Sequence, residues 1–196
     1  MRRYFLTIWS FIDPIYFFFT RLICLPSEEN ILRIRLTKYK GRNLVLADGT
    51  QINRDDLLVK IHLHNVKLLK ELQEMKGELK KARKILYGVQ KSLPNVELYV
   101  RNHHRSQEIK GIIGITSLNK GCHRLGFEVF EVSHPIYRWF KFMAFLPIEM
   151  VASSNTSIKW LITNHKPSYL LMSTKTLSTL YRKNENKKSC RVAALK

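Results

Sequence analysis

The sequence predicts a single α+β (or mixed α/β) domain in which a mixed sheet is packed by one long helix, with aromatic amphipathic helices at the N-terminus. Three observations predict it. Leu32, Ile34 and Leu36 alternate with Arg33 and Arg35, and Val59, Ile61 and Leu63 alternate with Lys60, His62 and His64. A period of two is that of half-buried strands. Leu68, Leu72, Met75, Leu79, Ala82, Leu86, Val89 and Leu93 recur at spacings of four and three, the repeat of a long helix with one apolar seam. Asp48-Gly49 stands between two short apolar runs, a strong signal for a tight hairpin.

The first segment, residues 1–25, is aromatic. Arg2 and Arg3 precede Tyr4 to Ile12, then Asp13-Pro14, then Ile15 to Phe19. Asp13 suits an N-cap and Pro14 the first helical position, where its missing N–H costs nothing. Positive charge before an apolar run imitates a signal peptide, but the run is broken at Asp13-Pro14 and no small-residue cleavage site follows. A full span needs about 20 apolar residues, more than this stretch supplies. Trp9 and Tyr16 beside Arg2 and Arg3 are the composition of an interfacial helix; a helix closing a soluble core is the alternative.

Next comes the strand over Leu32–Leu36, then a turn at Tyr39 to Arg42, and a hairpin from Asn43 through Ile52. The strand over Val59–Leu63 leads into the heptad helix. Gly77 is expected to bend that helix and Pro94 to end it. Its outer face is read as Lys70, Glu74, Glu78, Lys81 and Lys84. A shorter helical stretch then reaches Arg101, His103, His104 and Arg105. Ile109 to Leu118 and Leu125 to Val132 read as two strands joined by the turn Asn119 to Gly121. Ser133 to Pro135 opens a second aromatic helix that places Arg138, Trp139 and Lys141 together. Ile158 to Thr163 and Tyr169 to Met172 read as strands, and Ser173 or Thr174 caps a last helix through Tyr181. The domain is thus drawn as residues 26–181, followed by a basic, disordered tail at 182–196.

Charge restricts the function classes. The chain has 34 Lys+Arg against 15 Asp+Glu, a net charge of +19. Nine cations and one acid fall in residues 151–196, and the rest of the excess is spread. Such a field attracts polyanions, so the expected partner is an anionic lipid or envelope polysaccharide surface. Nucleic acid ranks last, because charge alone motivates it. The three cysteines, Cys24, Cys122 and Cys190, form no CxxC pair, which fits a reducing compartment and argues against a cysteine zinc site. The expected location is cytoplasmic, peripheral at the inner face of the membrane.

No Gly-rich phosphate loop, HExxH helix or GxSxG elbow is present. Candidate ligand-binding residues are Lys60, His62, His64 and Asn65 on the second strand, and Arg101, His103, His104 and Arg105 at the helix end. Two histidines on one strand face could share a metal or an anion. A catalytic metal would need a third ligand, for which Asp55, Asp56, His103, His104 and His123 are the candidates. No metal or cofactor is expected from these residues. Cations at a helix C-terminus also complement the helix dipole, a sufficient structural reason for that cluster. Cys122-His123 is a poor nucleophile–base pair, because adjacent side chains rarely converge. The candidate membrane contacts are Arg2, Arg3, Trp9, Tyr16, Arg138, Trp139 and Lys141.

Several stretches together resemble the YkoP-like domain family of Bacillus-type bacteria. They are Arg2 to Tyr16, Arg33 to Gly41, Asp48-Gly49-Thr50, Val59 to Asn65, Glu108 to Thr116, Gly126-Phe127-Glu128 and Pro167 to Ser173. The resemblance implies a context of envelope polysaccharide or lipid metabolism, because members also occur attached to proteins resembling polysaccharide deacetylases. A polysaccharide-modifying enzyme is the partner it implies. The metal-binding aspartate–histidine motifs of a deacetylase are missing, so deacetylation is not expected and no catalytic residue is carried over. The chain reads as a membrane-surface accessory or binding protein. A small enzyme or ligand-binding domain using the His62/His64 face is the alternative.

Overall fold

The computed structural model describes residues 22–25, 30–64, 67–68, 71–72, 75, 77–116, 121–131 and 168–182. The aromatic segments around Trp9 and Trp139, the expected strand over 158–163 and the basic tail lie outside these residues, as does Asn65.

The strands are β1 (Ile23–Cys24), β2 (Leu32–Lys38), β3 (Leu44–Val45), β4 (Gln51–Ile52), β5 (Leu57–Leu63), β6 (Ile109–Thr116), β7 (Glu128–Glu131) and β8 (Ser168–Ser173). The helices are α1 (Glu78–Asn102) and α2 (Thr174–Tyr181), with a 3-10 turn at Cys122–Leu125. Six strands form one sheet in the order β1-β2-β5-β6-β8-β7, and β3-β4 form a separate hairpin. All pairs in the large sheet are antiparallel except β5 with β6. A parallel neighbour needs a crossover, and α1 supplies it. The mixed sheet packed by a long helix is the architecture the sequence predicts.

The two faces of the sheet differ. Leu32, Ile34, Val59, Ile61, Ile112, Leu170 and Met172 face α1 and bury against Leu93, Val96 and Val100. The opposite face carries Leu58, Ile113 and Leu171, covered by Leu46 and Ile52 of the hairpin. Ser92 fixes the close approach of α1 to β2. Its fully buried Oγ accepts the Ile31 N–H at 3.0 Å and donates to the Gly88 carbonyl at 2.8 Å. A β-carbon at Gly88 would come within 2.6 Å of Ile31 Cδ1, so the helix lies this near only because glycine stands there.

Two sequence expectations are corrected. The heptad predicted one helix over Leu68–Leu93, bent at Gly77 and ended by Pro94. Instead Gly77, at φ 92°, breaks the helical path, α1 starts at Glu78, and Pro94 lies inside it. Pro94 removes only the bond to Gln90, an exposed residue whose carbonyl water can reach. Leu68 and Leu72 pack separately with Ile31 and Ile85, while Leu79 is 70% exposed and Lys81, assigned to the outer face, is 5% exposed. The second correction concerns β6 and β7. The second strand, expected from Leu125, starts only at Glu128, and β8 lies between the two. The 3-10 turn, flanked by Gly121 and Gly126 at φ 86°, carries the chain from one to the other.

Candidate functional site

β2 and β5 pair antiparallel with Arg33 opposite His62 and Arg35 opposite Lys60. Leu32, Ile34, Val59 and Ile61 point to the helix, so alternation sends these four polar residues to the other face. Arg33 is 8% and Lys60 9% exposed, and Arg35 and His62 are half-buried. Two guanidinium groups, a lysine and an imidazole therefore crowd one low-dielectric patch. Directly opposed residues have β-carbons about 5 Å apart, where like charges repel. Each of the four takes part in at least one further polar, charged or ring interaction.

His64, just beyond β5, joins the same patch. The Arg33 guanidinium Nη2 lies 3.0 Å from His64 Nε2. Guanidinium has no acceptor, so this nitrogen must accept. The Lys67 N–H sits 3.4 Å from Nδ1. A neutral imidazole accepts at one nitrogen only, so the shorter contact is the hydrogen bond. The patch continues across the sheet to Tyr169 and Phe130 on β8 and β7. Tyr169 meets Tyr39 edge-on at 6.4 Å. Burial raises both phenols above their ordinary values, with each other's proximity adding to Tyr169, so both stay protonated donors at neutral pH.

The structure thus brings Lys60, His62 and His64 together and adds Arg33 and Arg35, which the sequence placed on the cationic face but did not select as ligand contacts. The missed signal was cations at alternate positions of both strands.

The second group, Arg101 to Arg105, lies elsewhere. β5 starts beside Ile109, so the α1 terminus sits at the Leu57 end, roughly 17 Å along the strand from His62. Local contacts account for it. Arg101 pairs with buried Glu97 at 3.3 Å. The His103 N–H caps the helix on the Val100 carbonyl, and its ring stacks on His104 at 4.2 Å. Desolvation lowers the His103 pKa, helped by His104 and Arg105. Arg105 forms a two-pronged pair with Glu108 at 2.9 and 2.6 Å. Asp55 and Asp56 lie at this same end, in an open groove of about 410 Å³ with Lys38, Arg105 and Glu108. Asp55, Asp56, His103 and His104 are therefore not brought to His62. Among the described residues no cluster of three or more His, Cys, Asp or Glu is placed to hold a metal.

A carboxylate–hydroxyl cluster joins the hairpin to α2. Ser173 caps the helix by accepting the Thr176 N–H at 2.9 Å. Its hydroxyl also donates to Asp48 Oδ2, which accepts from Thr176 at 3.3 Å as well. Burial pushes the Asp48 carboxyl up, but hydrogen bonds from Ser173, Thr50 and Thr176 outweigh it and hold it below its ordinary value. No imidazole joins this cluster among the described residues, so it lacks the base that would make Ser173 a nucleophile. Cys122 is no better suited, because burial pushes its thiol up to about 11.

The YkoP domain profile matches residues 2–181. The chain belongs to the YkoP domain family. It is 45% identical over 186 residues to a Bacillus subtilis (strain 168) protein described as "Uncharacterized protein YkoP", an alignment covering 94% of this chain and 100% of that relative. No solved structure matches. In this YkoP-domain chain, some of the stretches carrying the resemblance meet among the described residues. Arg33–Gly41 and Val59–His64 contribute to the cationic face, while Asp48-Gly49-Thr50 and Ser168–Ser173 meet at the Asp48–Ser173 contact. Among the described residues no helix is long and apolar enough to cross a membrane.

Proposed function

We propose that this YkoP-domain protein is a non-catalytic accessory protein that binds the phosphate or carboxylate of an envelope glycan or lipid headgroup on the Arg33–Arg35–Lys60–His62 face. The observation that carries this reading is the direct cross-strand opposition of Arg35 to Lys60 and of Arg33 to His62, with Arg33 and Lys60 buried and the other two half-buried. An anion reaching these residues gains charge-assisted hydrogen bonds in a low dielectric. The net charge of +19 adds attraction for an anionic surface. The envelope setting rests on the family resemblance alone.

Calorimetric titration at low salt with inorganic pyrophosphate and with a uronate oligosaccharide tests it, using wild type and the Arg35→Met/Lys60→Met pair. Methionine keeps the apolar stem and removes the charge. Binding by wild type that weakens with salt and falls at least about tenfold in the variant is expected, since one charge-assisted bond is worth about 1.5 kcal/mol. Equal binding by the variant, or none by wild type with either probe, overturns the assignment.

A further inference from the structure

α1 (Glu78–Asn102) presents a second cationic surface, on the other side of the sheet from the opposed cations. Residues 79–96 include five Lys or Arg and no Asp or Glu. Lys81 is buried, whereas Lys80, Arg83, Lys84 and Lys91 are exposed. The same side exposes large apolar groups: Leu79 is 70%, Tyr87 56% and Leu98 43% accessible. At 100° per residue these cations and apolar groups share an arc of about 140°, running roughly 28 Å along the axis. Lys91 Nζ stands 5.5 Å from the centre of the Tyr87 ring. Glu71 also approaches this side, 3.3 Å from Lys84 Nζ, with both groups well exposed.

Cations interleaved with exposed leucine and tyrosine are the composition of a helix that lies in a membrane interface. Nucleic acid would satisfy the cations but offers no apolar layer for Leu79 and Leu98. We propose that the solvent face of α1 docks on an anionic lipid bilayer, parallel to its plane. Lys80, Arg83, Lys84 and Lys91 lie among the headgroup phosphates, and Leu79, Tyr87 and Leu98 enter the headgroup layer. The opposed-cation face of the sheet then points away from that bilayer. The two surfaces are separate, so this inference does not rest on the ligand assigned above.

Vesicle co-sedimentation of the full chain tests the docking. Phosphatidylglycerol–phosphatidylcholine vesicles are compared with phosphatidylcholine alone. Lys80→Gln/Arg83→Gln/Lys84→Gln is compared with Arg42→Gln/Arg54→Gln/Lys110→Gln, which removes the same charge from exposed positions elsewhere. At about fivefold per cation near an anionic surface, the helix variant should lose partitioning by about 100-fold while the control variant stays close to wild type. Leu79→Ser/Tyr87→Ser should also weaken binding, and the loss should persist at high salt. Equal losses in both charge variants would reduce the effect to net charge and overturn the proposal. Retained binding by the helix variant would place docking elsewhere in the chain. Preferential capture by a single-stranded oligonucleotide in competition with the vesicles would make the surface a nucleic-acid site.

Discussion

Replacing Ser173 with alanine probes the joint between the β3–β4 hairpin and α2. Ser173 is 1% exposed, accepts the Thr176 N–H and donates to the Asp48 carboxylate. Removing a helix N-cap costs about 1 kcal/mol. Removing a donor to a buried carboxylate would cost about 1.5–3 kcal/mol. Asp48 is only half-buried and keeps the Thr50 N–H at 3.0 Å, so about 1 kcal/mol is the appropriate share. The total of about 2 kcal/mol lowers Tm by about 4–8 °C in a chain of this size. Half of it is pH-dependent. The folded pKa of Asp48 lies below its ordinary 3.8, so its contribution is complete above that value and is lost as pH falls through the folded pKa. Urea unfolding followed by circular dichroism, at neutral pH and in steps below pH 3.8, reads both parts. The gap between wild type and Ser173→Ala should be about 2 kcal/mol at neutral pH and shrink to about half in acid. A gap well under 1 kcal/mol, or one that stays constant into acid, refutes the reasoning.

Other perturbations have equally definite outcomes. A β-carbon at Gly111 would overlap the Met172 carbonyl oxygen across the β6–β8 ladder, so Gly111→Ala should cost about 3 kcal/mol or more in chemical denaturation. Cys24 is exposed and Cys122 buried, with the Cys122 thiol pushed up to about 11. Mass spectrometry after brief alkylation at neutral pH should find Cys24 modified and Cys122 protected until denaturant is added. Glu97 is 3% exposed and holds Arg101, so Glu97→Ala should destabilise by about 3 kcal/mol. Arg105→Ala, at an exposed pair, should leave Tm unchanged in the same thermal scan.

How far the sequence could be read depended on the range of the interaction involved. Alternation at Leu32–Leu36 and Val59–Leu63 is local, and both strands are where it placed them. So are the Asp48-Gly49 turn and the Ser173 cap, each specified within four residues. The heptad misled because its leucines serve two clusters. Leu68 and Leu72 pack on Ile31, whereas Leu93 packs on the sheet, and Gly77 at φ 92° lies between them. Placing β8 between β6 and β7 is a tertiary choice with no local signature. At the candidate site, periodicity told which face His62 and His64 share. It did not tell that Arg33 would be buried there and bonded to His64, because burial of a face depends on what covers it.

The pairing of β7 with β8 has a consequence for engineering. Glu131 sits directly opposite Ser168, so β7 ends and β8 begins at a single point of the sheet. Two antiparallel strands ending side by side can be joined by a two-residue Asn-Gly turn. Exchanging residues 132–167 for such a turn would shorten the closed loop enough to favour folding by roughly 2–3 kcal/mol of chain entropy. The β7–β8 register, with Glu131 opposite Ser168, is the one such a turn closes. That position is therefore a cassette site, where the sequence holding Arg138, Trp139 and Lys141 can be exchanged between two fixed strand ends.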